Sequence, residues 1–331
     1  MKNVSKLALF VAAGMMTAGA QAATIEIADG TSMAIEGEFN AFYLSRDTVD
    51  TSVETEVDDD GKTVVKEDNA DDLDGALEFE VSAARSFDNF DGYVSAIFEF
   101  TTLEEGGSGL DSDKAVAGLE GDFGQIELGH TDSVYEDLIH DAVDPFEQAT
   151  LDDSSIGLDE DTMITYYSPD MNGFSFNLQL GIEDEAQNGV SKSEESFIAS
   201  AAYDFGGGAL HIGYDDLGTS SDSSDEIIGL AAVVNLGNAA ELAVKHEMQT
   251  KGGSDTDFTG IALTLDYGAG NLYGAVKDIS PDGGDSQTQY AIGVDYDLES
   301  DLKVFGELAN FDGQAATDAD SLIAVGLEYK F

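Results

Sequence analysis

The chain has 331 residues, with 68 Asp and Glu against 13 Lys and Arg, a net charge of −55 and no Cys. That charge opposes binding to nucleic acid, the absence of Cys excludes a disulfide framework, and 42% apolar content is too high for a disordered acidic chain. An acidic surface of this density favours cations, or concentrated salt in which screening removes the self-repulsion.

In chain order, the first segment is separable. Lys2 and Lys6 precede the apolar run LALFVAAGMMTAGA, and Ala20-Gln21-Ala22 gives a small-x-small site. Residues 1–22 read as an export signal peptide, too short to span a bilayer comfortably, leaving 23–331 as the folded unit. No later window of 18 apolar residues occurs, so no transmembrane helix is expected.

What recurs instead is alternation. In GFSFNLQLGIED, Phe174, Phe176, Leu178, Leu180 and Ile182 share one parity, with polar or small residues on the other. This is the period of two of a strand with one apolar face. Such runs predict sixteen strands, near 31–46, 74–86, 92–102, 114–121, 125–130, 162–168, 173–183, 196–205, 208–215, 226–236, 239–248, 257–267, 271–278, 287–297, 302–310 and 321–331. The gaps alternate short and long, the long ones near 47–73, 103–113, 131–161, 184–195, 216–225, 249–256, 279–286 and 311–320. Strict alternation puts every short turn at one end, as in an up-and-down barrel.

The polar face carries Glu38, Glu78, Glu80, Glu99, Glu120, Glu127, Glu183, Asp204, Glu241, Asp266 and Asp295. Burying these in a sandwich core costs several kcal/mol each unless paired, and the chain has too few cations to pair them. If the polar face lines water and the apolar face meets lipid, the cost disappears, and an even-stranded closed barrel leaves no open edge in the bilayer. Phe87, Phe90, Tyr93, Phe123, Tyr167, Phe174, Tyr203, Phe205, Tyr267, Tyr273, Tyr296, Tyr329 and Phe331 cluster beside the short turns, as an aromatic girdle would.

Three stretches carry a family resemblance: GDFGQIELGHTDS (121–133), TYYSPDMNGFSFNLQLG (165–181) and LIAVGLEYKF (322–331). With them the sequence resembles the general porins of Gram-negative outer membranes, of the marine gammaproteobacterial type. The resemblance implies an all-β, 16-stranded antiparallel transmembrane barrel with short periplasmic turns, long external loops and an inward-folded third loop. It further implies a homotrimer in outer-membrane lipid and lipopolysaccharide. Tyr329 and Phe331 then form the terminal signal read by the barrel-assembly machinery. Residues 131–161, between strands five and six, are the candidate constriction loop. Two departures stand out. His130 occupies a position where many relatives carry Arg, and LDEDTMITY replaces an Arg-containing stretch before the strand-six Tyr. No Lys or Arg occurs between Lys114 and Lys192.

Selectivity in such a pore follows wall charge and width. The constriction candidates are Asp132, Glu136, Asp137, Asp141, Asp144 and Glu147 on the loop, with Glu38, Glu78, Glu80 and Glu127 on the wall. The cations of lumen parity are Arg46, Lys245, Lys277 and Lys303, with Lys330 at the rim. The expected function is passive diffusion of ions and small hydrophilic solutes, favouring cations, with no cofactor, catalytic group or metal. General salt adaptation explains any single acid equally well. Glu56-x-Asp58-x-Asp60-Gly61 with Glu67 approaches an EF-hand loop without flanking helices, and SSDSSDE (220–226) is a weaker acidic cluster. HEMQT lacks a second His, and His130, His140, His211 and His246 form no spaced ligand set. The rivals are a substrate-selective channel, which lumen aromatics would mark and which their small number here (Phe42, Tyr273 and Phe305) argues against, and a surface adhesion or receptor barrel, marked by a third loop outside the pore. An outer-membrane protease would need a convergent His and acid cluster.

Overall fold

The computed structural model describes residues 25–28, 30–48, 55–57, 63–65, 68–101, 110–154, 161–181, 196–217, 225–311 and 319–331. The expected signal peptide, the acid-rich tracts of 58–62 and 218–224, and residues 155–160 of the third loop lie outside them.

Sixteen strands form the barrel: β1 Thr31–Thr48, β2 Asp68–Ser86, β3 Phe90–Thr101, β4 Leu110–Gly121, β5 Gly124–Thr131, β6 Asp161–Tyr167, β7 Phe174–Gly181, β8 Phe197–Asp204, β9 Gly208–Asp216, β10 Glu226–Asn235, β11 Ala240–Lys251, β12 Ser254–Asp266, β13 Asn271–Pro281, β14 Gln287–Glu299, β15 Leu302–Asn310 and β16 Ala319–Lys330. Each pairs antiparallel with the next, and β16 returns to β1 through Lys330↔Glu38 and Leu322↔Arg46, closing the ring. The last residue finishes the seam: Phe331 and Gly37 exchange backbone hydrogen bonds of 2.8 and 2.9 Å. A Cβ at Gly37 would collide with the Phe331 ring, which lies over that glycine. A short strand, Ile25–Ala28, extends the β1 edge, and residues 55–57 pair with 63–65 in a separate hairpin within the first long connection.

The inner and outer faces follow parity. On β11, Ala243, Lys245, Glu247 and Gln249 are buried while Val244 and Met248 are exposed. Outward residues such as Leu230, Ile261, Ile292, Leu308 and Val325 give the apolar band that a bilayer requires. Exposed Phe87, Phe90, Phe123, Phe174, Tyr203, Phe205, Tyr267, Tyr296, Tyr329 and Phe331 lie beside the short turns. Three tyrosines leave the expected girdle for the inner face: Tyr93 and Tyr273 are buried and hydrogen-bonded to Glu127 and Glu307, and Tyr167 is half-buried against the Tyr135 and Ile139 cluster. A phenol can fill lumen space because its hydroxyl reaches a carboxylate there.

The connection expected near 249–256 is instead a two-residue turn, Gly252-Gly253, with φ of 60° and 78°. Paired positive φ is the geometry of a type I′ hairpin, in which glycine is unstrained. The strands run past the apolar band here. Above it both faces meet water, so pairing continues while alternation disappears. The same effect extends β2 back to Asp68.

Candidate functional site

The third long connection folds into the barrel. It leaves β5 at Thr131 and enters a π-helical turn, Glu136–His140, followed by a 3-10 turn, Asp141–Val143. Tyr135, Ile139 and Val143 recur every four residues and so share one side of this turn; all three have no solvent exposure. Asp137 and Asp141 on the other side stay open to the lumen. The irregular apolar spacing of this segment is therefore a short helical stripe in an otherwise extended loop.

The wall is shaped to receive that stripe. Gly213 on β9 and Gly229 on β10 are register partners, and a Cβ on either would run into Tyr135 and Ile139. The next register partner, Glu247 on β11, closes the socket and accepts the Tyr135 hydroxyl at 2.9 Å. Glu247 also accepts Ser154 Oγ at 2.7 Å and lies 3.0 Å from His140 Nε2. One position further, Gly260 on β12 lies between its partners Lys245 and Lys277 and makes room for Val143. The two ammonium groups converge on Asp153: Lys245 pairs with Oδ1 and with Glu247 Oε2 at 3.0 Å, and Lys277 with Oδ2 at 2.6 Å. Lys277 also donates to the Leu151 carbonyl at 2.9 Å.

The loop tip is held by its backbone. Glu307 on β15 accepts the amides of Glu147, Gln148 and Ala149 at 2.8, 2.8 and 2.9 Å, and the Tyr273 hydroxyl at 2.8 Å. Gln289 on β14 clasps Asp152, its Oε1 accepting the Asp152 backbone N–H and its Nε2 donating to the Asp152 carboxylate, and Gln179 on β7 accepts the Val134 amide and donates to the Asp132 carbonyl. Lys303 bridges Glu147 at 2.7 Å and Glu328 at 2.8 Å. Among the described residues, these polar attachments run from β7 round to β15, the apolar packing of the loop reaches Phe42 and Leu44 on β1, and β2 to β4 and the rest of β1 are left uncovered by the loop.

The sequence-derived residues divide accordingly. Asp132, Glu136, Asp137, Asp141, Asp144 and Glu147 lie on the loop, with Asp137, Asp141 and Glu147 exposed and the other three half-buried. Glu38, Glu78 and Glu80 face the lumen from the uncovered wall, where Glu38↔Glu78 and Glu36↔Glu80 are register partners. Glu127 is buried beside Tyr93. Arg46 and Lys114 are the cations on the uncovered wall among the described residues; Lys245 and Lys277 sit on the wall beneath the loop. Within the barrel, low polarisability around the loop raises its acids. Asp137 has accessible surface, but the barrel and loop around it displace bulk water, and this desolvation, then Asp132 and Asp141, pushes its carboxyl up to about 7. Burial, then Asp144, take Asp141 to about 6. Burial also raises Asp144 and Glu147, the latter opposed by Lys303.

Tyr135, Asp153, Gln179, Glu247, Gln289 and Glu307 were not singled out from the sequence. Their signal is compositional: inward positions on β9 to β14 are repeatedly Gly or Ala (Gly213, Gly229, Ala231, Ala243, Gly260, Ala262, Ala275, Ala291), whereas β1 to β3 present Glu. Small residues on one half of an inner wall mark where something packs. His140, Asp153 and Glu247 bring ligand-type atoms within 4.8 Å of one another. The Lys245 ammonium already bonds both carboxylates, so this donor set is an ion-pair network and does not fit a metal ion.

Residues 8–316 match the family model described as Gram-negative porin. A monosaccharide porin of Halomonas sp. and the major outer membrane protein of Halomonas elongata are each 26% identical over 377 residues, covering 98% of this chain and 99% of theirs. Among solved structures, Salmonella typhi OmpF in complex with daunomycin superposes with a TM-score of 0.70 at 15% identity, covering 93% of this chain and 100% of that one. A triple mutant of Rhodopseudomonas blastica porin gives 0.69 at 16% identity, covering 90% and 100%.

Proposed function

This chain belongs to the Gram-negative porins, outer-membrane channels for passive diffusion rather than enzymes, and on that premise we propose that its pore favours cations. The observation that carries the reading is the separation of charges inside the barrel. The wall lysines 245 and 277 are consumed in ion pairs under the third loop, and Lys303 bridges two glutamates. The passage is left between loop acids Asp132, Asp137, Asp141, Asp144 and Glu147 and a wall on which Glu38, Glu78, Glu80 and Glu99 outnumber Arg46 and Lys114. Carboxylates on both sides stabilise a permeating cation and repel an anion, in a confined space where screening is weak.

A second reading, a preference for monosaccharides, is favoured by one feature. Phe146 at the loop tip joins Phe42, Tyr273 and Phe305 on the wall in an aromatic cluster, with the Phe146 and Tyr273 rings 5.5 Å apart. Tyr273 and Phe305 are buried, so the faces open to a sugar ring are those of the half-buried Phe42 and Phe146, and one Halomonas relative is described as a monosaccharide porin. We read the assembly as a homotrimer in lipid and lipopolysaccharide, exported by residues 1–22. Tyr329 and Phe331, exposed at the seam, are the assembly signal.

The test is a planar-bilayer recording under a KCl gradient, paired with liposome swelling in glucose. A reversal potential of the cation-selective sign is expected. An anion-selective sign overturns the charge reading, and glucose entering no faster than a larger uncharged solute of matched polarity overturns the sugar reading.

A further inference from the structure

Two inner rows of the barrel share one construction. Tyr273 on β13 leans across Gly293 on β14 to reach Glu307 on β15, three register partners in line. Tyr93 on β3 leans across Gly118 on β4 to reach Glu127 on β5, again in line and again with a 2.8 Å hydrogen bond. A Cβ on either glycine would collide with the tyrosine ring.

The rows differ in what the carboxylate does next. Glu307 takes three loop amides. Glu127 is 3% exposed; its Oε2 receives Tyr93 and, at 3.3 Å, Gln125 Nε2, while its Oε1 is buried with no hydrogen-bond partner among the described residues. Thr165 is the register partner of Glu127 on β6. It has no solvent exposure, and its Oγ1 is likewise buried and without a partner. Two orphaned oxygens, one of them part of a carboxylate, therefore sit on adjacent strands in a single row. A buried carboxyl is paired, binds a metal ion or keeps its proton, and neither Tyr93 nor Gln125 brings a positive charge.

We propose that Glu127 Oε1 and Thr165 Oγ1 hold a monovalent cation, Na+, beneath the start of the third loop. Oxygen-only ligands suit a hard cation, and one carboxylate balances one positive charge. Charged neighbours of this corner include Asp132 and Asp137 on the loop, and Lys114 and Glu120 on β4. The three acids add negative potential, and Lys114 offsets part of it. The bound ion neutralises Glu127 and supplies the contact that the loop amides supply to Glu307. It is a structural ion, enclosed and off the permeation path, so the site stands or falls independently of pore selectivity.

The experiment measures thermal unfolding of the detergent-solubilised protein as NaCl replaces choline chloride at constant ionic strength. A saturable rise of about 2–4 °C in the midpoint is expected for the wild type, and loss of that rise in Glu127→Gln and in the near-isosteric Thr165→Val. Crystals soaked in Tl+ should show an anomalous peak between the two oxygens. Equal midpoints in Na+ and choline, a Na+ response retained by Thr165→Val, or water density without an anomalous peak each overturn the assignment.

Discussion

Replacing Glu307 should release the tip of the third loop. Its carboxylate is 1% exposed and accepts three loop amides and one phenol. Hydrogen bonds to charged groups contribute roughly 1.5–3 kcal/mol each, so the three amide bonds have a ceiling of about 5–9 kcal/mol. Water entering from the lumen can resolvate the freed amides, and Lys303, Gln289 and Asp153 still hold the segments on either side. A net loss near 3 kcal/mol is therefore expected for Glu307→Ala, about a hundredfold shift in the docked-to-undocked ratio of the tip. Glu307→Gln keeps one acceptor oxygen and turns an amide N–H2 towards loop donors, so it should fall between wild type and Ala. Single-channel recording reads the result as larger open-channel noise and a changed conductance, graded Ala over Gln over wild type. Wild-type conductance and noise in Glu307→Ala, in a protein with normal heat-modifiable mobility, would refute the claim that this carboxylate clamps the tip.

Asp137, raised to about 7, should make selectivity respond to pH. Cation preference should grow as pH rises from 6 to 8, and Asp137→Asn should flatten that rise in reversal-potential measurements. The linked stability runs the other way. Because the folded-state value exceeds the ordinary 3.8, this group's contribution is complete below about 4 and is lost as pH rises to about 7. Asp137→Asn should therefore raise the unfolding midpoint at pH 8 and leave it unchanged at pH 4. Gly229→Ala should overfill the Tyr135 socket at a cost of about 1–3 kcal/mol, read as increased channel noise, whereas alanine at the turn residue Gly207, whose Cβ position meets only the Phe205 ring at 4.0 Å, should leave noise unchanged.

Much of the architecture was legible because a membrane barrel writes its geometry in parity. Lipid on one side and water on the other impose a period of two wherever the strand crosses the bilayer, so the sixteen strands and the order of turns follow from alternation. The pattern fails where that contrast ends. Beyond the apolar band at Gly252-Gly253, and along Asp68–Leu73, pairing persists without a hydrophobic signal. The acids of the third loop were also visible, since eight of them crowd 129–153 with no Lys or Arg. What parity cannot say is which inward residue meets water and which meets the loop.

The amino-acid order alone thus determined the barrel, the inner and outer faces, and the position of a long acidic loop between β5 and β6. Only the tertiary structure decided that Glu307 clamps that loop while Glu78 faces the passage, though both are inward glutamates on strands of the same fold. The difference lies in non-local contacts: a docked loop more than 150 residues away in sequence from Glu307 removes one half of the wall from water. It also turns the lysines of that half from pore charges into anchors, leaving the passage between carboxylates.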